Sequence, residues 1–358
     1  MESRRERTPV VAPSGSVKHS SKLLVMRMIL WSAAIVALAI LMGVVYEQAG
    51  RYRAARDFPA PGKMVDIGGR RIQLDCRGSG SPTVVFEAGL SADGSLSWSA
   101  VQPKIAAHTR ACSYSRAGLM WSDPSEAPHS ARQVAHDLHA ALARAGEQGP
   151  YVLVGQSLGG LFATSFTRHF GAEVAGLVLV DPSHPDQVAR VADFMTETRS
   201  LRSRIAVSLA WSGLLRAAAP SLLPQARNQA ARDAQAIRAF APKSLGTQLV
   251  ESDATDAMLA EAGAFRDLGN RPLVVLTAMA PYTEAELRGM KITPAQGTQV
   301  QAIWKQLHED EATWSSRGRQ VLLPNAGHDI QFDDPDAVID AVLSVVAAVR
   351  ADLGAAPH

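Results

Sequence analysis

The chain is 358 residues long, more than a typical domain but within the range that one α/β unit uses, so it can bury a large core. A hydrophobic share of 47% with 20% charged residues excludes a wholly disordered chain, because enough apolar surface is present to offset the entropy of ordering. Thirty-six basic against 34 acidic residues leave a net charge of +2, and with no basic stripe interleaved with aromatics this excludes a nucleic-acid partner.

Arg4, Arg5, Arg7, Lys18, Lys22 and Arg27 fall in a Ser/Pro-containing stretch, and positions 1–27 are expected to be a basic, disordered tail. The next 19 residues, MILWSAAIVALAILMGVVY from Met28 to Tyr46, carry no charge. About 20 apolar residues of helix cross a hydrocarbon core of about 30 Å, so positions 28–46 are expected to span a membrane. A cleaved signal peptide would have a shorter apolar region, and the following EQAGRYRAA offers a poor small-x-small site, so an uncleaved anchor is the expectation. The six basic residues before the run outnumber Arg51, Arg53 and Arg56 after it, which puts the tail on the cytoplasmic side. A Pro/Gly-containing linker at 47–61 then leads to a domain in the periplasm or outside the cell.

That domain is expected over 62–353. VDIGGRRIQLDCRGSGSP reads as two strands around a Gly-Gly turn, TVVFEAGL as a short β run, Ser97 to Ala107 as helix-like and RACSYS as another strand. Ser130 to Ala145 has helical periodicity behind a serine cap. Tyr151 to Val154 is a buried strand and Leu158 to Phe170 the helix that follows it. GLVLVDP and RPLVVLTA are further buried strands, and the long stretch between them, about 184–270, is rich in Ala, Arg and Leu without strand-like runs and reads as a helical cap. RQVLLPNAGHDI supplies a last strand and loop, and DPDAVIDAVLSVVAAVR a final helix with Asp333 or Asp334 as cap and Pro335 in its first turn. Apolar strands alternating with helices require a mostly parallel sheet covered on both faces, an α/β fold.

The strand–turn–helix around Ser157 has the form of a nucleophile elbow. A hydroxyl nucleophile must project clear of the sheet with donors nearby, and in a sharp turn of this kind residues two before and two after it approach too closely for side chains, which accounts for Gly155 and Gly159. The helix that starts at Leu158 points its free N–H groups and dipole at the same place.

Taken together, FEAGL, GQSLGG, LVDPSHP and NAGHDIQFDDP resemble, in that order, the α/β-hydrolase superfamily over nearly all of 62–353. The block WSAVQPKIAAHTRACSYSRAGLMWSD is similar to a subset of bacterial serine hydrolases, departing from it at Ser115, where aspartate is usual, and at Gln156, where histidine is usual. The resemblance implies an eight-stranded, mostly parallel sheet with a helical cap. It also implies His328 as the base for Ser157, and oxyanion donors at Leu158 and at Leu90 after Gly89. The acid usually follows the seventh strand, but TAMAPYTEAEL has no aspartate there. Asp181, after the sixth strand, is therefore expected to orient His328, with Glu284 as the alternative. Strands two and four are neighbours in this fold, so Cys76 and Cys112 are expected to form a disulfide, which suits an oxidising compartment.

The other histidines have milder readings: His136 and His139 as a solvated or packed helix face, His308 in HEDE as a polar surface run, and His184 as a residue of the site mouth. The expected activity is a serine hydrolase acting on an ester-like small molecule through an acyl-enzyme, with no metal or organic cofactor. Serine at the elbow speaks against epoxide-hydrolase and dehalogenase chemistry, which uses aspartate in this superfamily. A catalytically silent binding module, an acyltransferase and an aminopeptidase of the same fold are the alternatives. The apolar side of LRSRIAVSLAWSGLLRAAAPSLL in the cap has either its own domain, an acyl group or the bilayer to cover it.

Overall fold

Eight strands form one sheet in the order β1-β2-β4-β3-β5-β6-β7-β8 in the computed structural model, which describes residues 17–126, 129–192, 194 and 201–355. The strands are β1 (Lys63–Asp66), β2 (Arg71–Arg77), β3 (Thr83–Glu87), β4 (Ala111–Ser115), β5 (Tyr151–Gln156), β6 (Val174–Val180), β7 (Gly269–Ala278) and β8 (Ser315–Leu323). β2 runs antiparallel to both neighbours, and every other pairing is parallel. The first two strands form the hairpin expected from Gly68 and Gly69, both at positive φ, with the Asp66 carboxylate accepting from both glycine amides.

Parallel strands buried on both faces must be apolar at every position, and their residues divide by parity between two cores. Val85, Leu153, Leu177 and Val275 belong to one, beneath α3 (Ala131–Ala145) and α4 (Leu158–Phe170). Val84, Val152, Val178 and Val274 belong to the other, beneath the final helix, α12 (Pro335–Ala355). Ser130 caps α3 by accepting from the Gln133 amide, Gly146 ends it in the left-handed region, and Asp334 caps the start of α12 through the Ala337 amide. Between β3 and β4, where one helix is expected, a 3-10 turn at Gly94–Trp98 precedes the short α2 (Gln102–Ile105).

The amino-terminal boundaries need correction. One helix, α1, runs unbroken from Val17 to Asp57, so the end of the expected tail and most of the expected linker at 47–61 are helical. No proline interrupts this stretch, and the first breakers are Pro59 and Pro61. The described helices between β6 and β7 are α5 (Gln187–Val191), α6 (Leu201–Ser208), α7 (Leu214–Leu222) and α8 (Ala231–Ala262), with a 3-10 turn at Ala210–Ser212 and no strand among the described residues. A second helical excursion, α9 (Glu284–Met290) and α10 (Pro294–Thr313), stands between β7 and β8, each helix opened by a threonine capping box. The short α11 (Ile330–Asp333) precedes α12.

Cys76 and Cys112 sit opposite one another on β2 and β4 and are joined in a disulfide, with their Cα atoms 4.0 Å apart.

Candidate active site

Ser157 is the residue between β5 and α4, and its backbone is strained, with φ 53° and ψ −125°. A non-glycine residue at positive φ costs about 1–3 kcal/mol and persists only where its surroundings over-determine it. Here the Ser157 amide donates to the Val180 carbonyl at 3.0 Å, and the Ser157 carbonyl accepts from the Ser183 amide at 2.9 Å. The flanking glycines answer to backbone contacts. A Cβ on Gly155 would lie 2.3 Å from the Gly159 carbonyl oxygen, and one on Gly159 would lie 2.4 Å from that of Glu87.

Asp181 repeats this arrangement one strand over, at the end of β6, with φ 44°. Its amide donates to the Leu276 carbonyl, and its Oδ1 accepts from the Ala278 amide at 2.8 Å. Its Oδ2 lies 2.6 Å from Nδ1 of His328, which stands in the loop after β8. With Nδ1 committed to the carboxylate, Nε2 is the ring nitrogen left for exchange with a neighbouring group. Desolvation acts to lower the His328 pKa, but the hydrogen bond and charge of Asp181 outweigh it, and the net shift is upward.

Ser157, Asp181 and His328 all line one cavity of about 580 Å³. Its remaining wall comes largely from the second excursion: Tyr282, Glu286, Met290, Gln301 and Trp304, with Arg227 from the loop before α8 on the cap side. The connection between β7 and β8, with α9 and α10, thus supplies more of the wall than the cap between β6 and β7 does. The size suits a small organic molecule, and the wall is part apolar and part polar.

The alpha/beta hydrolase family profile matches residues 84–341. The chain belongs to the alpha/beta hydrolase family. Among curated proteins, one named a probable transporter, from Hormonema carpetanum, is 26% identical over 315 residues, which is 80% of this chain and 43% of that protein. The chain spans less than half the length of the first curated relatives it matches. Among solved structures, a thermophilic esterase from Thermogutta terrifontis aligns with a TM-score of 0.54 at 20% identity, over 80% of this chain and 98% of the esterase. The epoxide hydrolase CorEH aligns with a TM-score of 0.54 at 17% identity, over 80% of this chain and 98% of its own. At these identities the two structures speak for the fold alone.

In this alpha/beta hydrolase the loop after β3 lies against the elbow: a Cβ on Gly89 would stand 3.0 Å from that of Ser157 and 2.2 Å from Gln156 Oε1. Neither the Leu90 nor the Leu158 amide meets an acceptor among the described residues. The loop is held from behind by Arg116, a residue the sequence reading does not single out although it lies in the quoted block. Its buried guanidinium pairs with Glu87 at 2.8 Å and with Glu251 of α8 at 2.9 Å, and donates to the Ala88 and Gly89 carbonyls. Burial pushes the Glu87 carboxyl up to about 7, against the pull of the guanidinium it shares with Glu251. Gln248 of α8 donates to the Leu90 carbonyl at 3.0 Å, so the cap helix is fastened to this loop at two points.

The two departures from the bacterial subset are both partnered. Gln156 is buried and donates to the His328 carbonyl at 3.3 Å, tying the elbow to the histidine loop. Ser115 Oγ donates to Gln73 Oε1 and accepts from the Ser95 amide.

The other expectations divide. Glu284 stands at the start of α9 with its side chain 92% exposed, paired to Arg288 and making no contact with His328. His139 stacks on Phe170 at 3.9 Å and meets Glu173, the packed-face reading. His184 is buried against Asp310 and Trp314 and is not at the cavity mouth. His308 is fully buried: its Nε2–H donates to the Pro182 carbonyl at 2.9 Å, Nδ1 lies 3.1 Å from Thr277 Oγ1, and Asp181 Oδ1 is 3.8 Å away. Burial holds its pKa down, so a neutral imidazole braces the backbone next to Asp181. Helical pitch explains the miss, because Trp304, Leu307, His308, Glu311 and Ala312 share the inner side of α10 while Glu309 and Asp310 face out.

Proposed function

We propose that this protein is a membrane-anchored serine hydrolase that cleaves an ester or related small carbonyl substrate through an acyl-enzyme. The single observation that carries the reading is a strained serine on the elbow turn sharing one cavity with a histidine whose far nitrogen is held by a carboxylate. Ser157 Oγ attacks the carbonyl carbon and its proton passes to His328 Nε2. The oxyanion that forms is held by the Leu90 and Leu158 amides, the two donors assigned to it in this reading. Collapse breaks the bond to the leaving alkoxide, which takes the proton from His328. Water then attacks the acyl carbon, gives a proton to His328, and Ser157 recovers it as the acid departs. Asp181 keeps Nδ1–H in place and stabilises the imidazolium.

The anchor reading is supported by α1, whose Leu24–Asp57 portion contains an apolar window with none of its residues buried against the protein. The disulfide fits a catalytic domain on the periplasmic or outer side.

A fluorophosphonate probe on the purified full chain tests the chemistry. One adduct, mapped to Ser157 and lost on Ser157→Ala, is expected. Folded protein without label would favour a binding module that has kept the fold.

A further inference from the structure

We propose that the cap docks into the bilayer surface, with Trp211 and Leu214 as its inserted side chains. The inference rests on the anchor reading of α1 and adds to it a second membrane contact. The cap meets α1 at one fixed level. A Cβ on Gly43 would lie 2.3 Å from the Ser212 carbonyl oxygen, and one on Gly213 would lie 2.7 Å from the Tyr46 ring. Two glycines thus let the helix and the cap turn touch at backbone distance. One turn further along α1, Glu47 is fully buried and bonded by Arg216 of α7 at 2.9 Å, and Arg216 also donates to the Ala239 carbonyl of α8. Breaking a buried pair of this kind is costly, so the cap is held firmly to the helix.

Gly43 and Tyr46 close the uncharged run that begins at Met28, and Arg51, Arg53 and Arg56 follow within three turns. That sequence of apolar run, tyrosine and arginines marks the level where hydrocarbon gives way to headgroups. The contact therefore sets the turn at Ala210–Ser212 at that level. Trp211 is 45% exposed and Leu214 61% exposed, one on each side of the Ser212–Gly213 contact. Outside α1, eight described large apolar side chains are exposed, and four of them, Ile205, Trp211, Leu214 and Leu222, fall between positions 205 and 222. Scattered apolar residues need no explanation, but a cluster beside a bare apolar helix does. The bilayer that receives α1 covers both, and a tryptophan suits the interface because one end of its ring is apolar and the other donates a hydrogen bond.

Single-cysteine labelling of the full chain tests the docking, because Cys76 and Cys112 are bonded to each other and an introduced thiol is then the reactive one. NBD is attached at Trp211→Cys, at Leu214→Cys, at Leu353→Cys as an exposed apolar site on α12, and at Ile35→Cys within the apolar run. Each protein is reconstituted in phosphatidylcholine vesicles carrying nitroxide lipids, with the nitroxide near the headgroup or near the chain terminus. Probes at 211 and 214 are expected to be blue-shifted and quenched several-fold more by the shallow nitroxide than the probe at 353. Quenching at 211 and 214 no greater than at 353, with Ile35→Cys quenched by the deep nitroxide, would overturn the docking while leaving the anchor intact. An unquenched probe at 35 would overturn the anchor, and the docking with it.

Discussion

His328 Nδ1 and Asp181 Oδ2 stand 2.6 Å apart although 147 positions separate them in the chain. The residue after β6 supplies the carboxylate and the loop after β8 supplies the ring, with β7 lying between those two strands in the sheet. Asp181→Asn keeps the shape but no longer fixes the tautomer or stabilises the imidazolium. A fall in kcat of about 10⁴-fold is expected. Glu284→Gln, on an exposed side chain, is expected to change kcat/KM by less than about twofold. Steady-state kinetics on an activated ester compare the two, and a large loss confined to Glu284→Gln would transfer the role of acid to that residue.

In the proposed mechanism the same pair is expected to set the pH dependence. A general base works as the neutral imidazole, and Asp181 favours the protonated ring, so His328 stays charged to higher pH than a free histidine. Activity is therefore expected to be lost as pH falls and to rise through an apparent pKa above about 6.5. In Asp181→Asn the opposing effect of desolvation is left in place, and the midpoint of the residual activity should move down. The kcat/KM profiles of the two proteins check this, and coincident midpoints would count against the assignment.

Strain at the elbow trades stability for geometry. Ser157→Gly removes both the hydroxyl and the penalty for φ 53°, so it is expected to abolish fluorophosphonate labelling while raising stability by about 1 kcal/mol. Thermal melts beside labelling gels measure both quantities. A destabilised Ser157→Gly would mean that the backbone there is relaxed.

Arg116 serves two carboxylates, and Arg116→Met would leave Glu87 and Glu251 buried without their cation. A loss of about 3–5 kcal/mol is expected from urea unfolding. Because Glu87 holds its proton up to about 7, Glu87→Gln should cost less than Arg116→Met at every pH below that value.

The disulfide closes a loop with a sequence separation of 36, and a loop of that length corresponds to about 3–4 kcal/mol in the chain-entropy account. The double variant Cys76→Ala/Cys112→Ala, or the wild type under reductant, is expected to melt at a lower temperature by a matching amount. Equal melting curves with and without reductant would contradict it.

Where local pattern and tertiary contact agree, the sequence is an accurate guide. Gly155 and Gly159 mark the elbow because backbone on both sides excludes a Cβ, and Ser130 and Gly146 bound α3 because caps are chemically specific. Asp181 is harder to place, since an aspartate before proline also suits an ordinary turn; the successive pairings of β6 with β7 and of β7 with β8 bring it to His328. His308 escaped because three neighbouring acids dominate a four-letter window while burial follows the pitch of a 20-residue helix. Arg116 gave no signal, because its partners Glu87 and Glu251 lie 29 and 135 positions away.

The cross-link between β2 and β4 also decides where a mechanical load would go. Tension that gets past the contacts of α1 with the cap reaches β1 next, and β1 is an edge strand held to the sheet on one side only. At Cys76 the pull passes through a covalent bond to β4, which lies between β2 and β3 inside the sheet. Peeling from that end is expected to stop at the bonded hairpin, before it reaches β5 and β6, the strands that lead to Ser157 and Asp181.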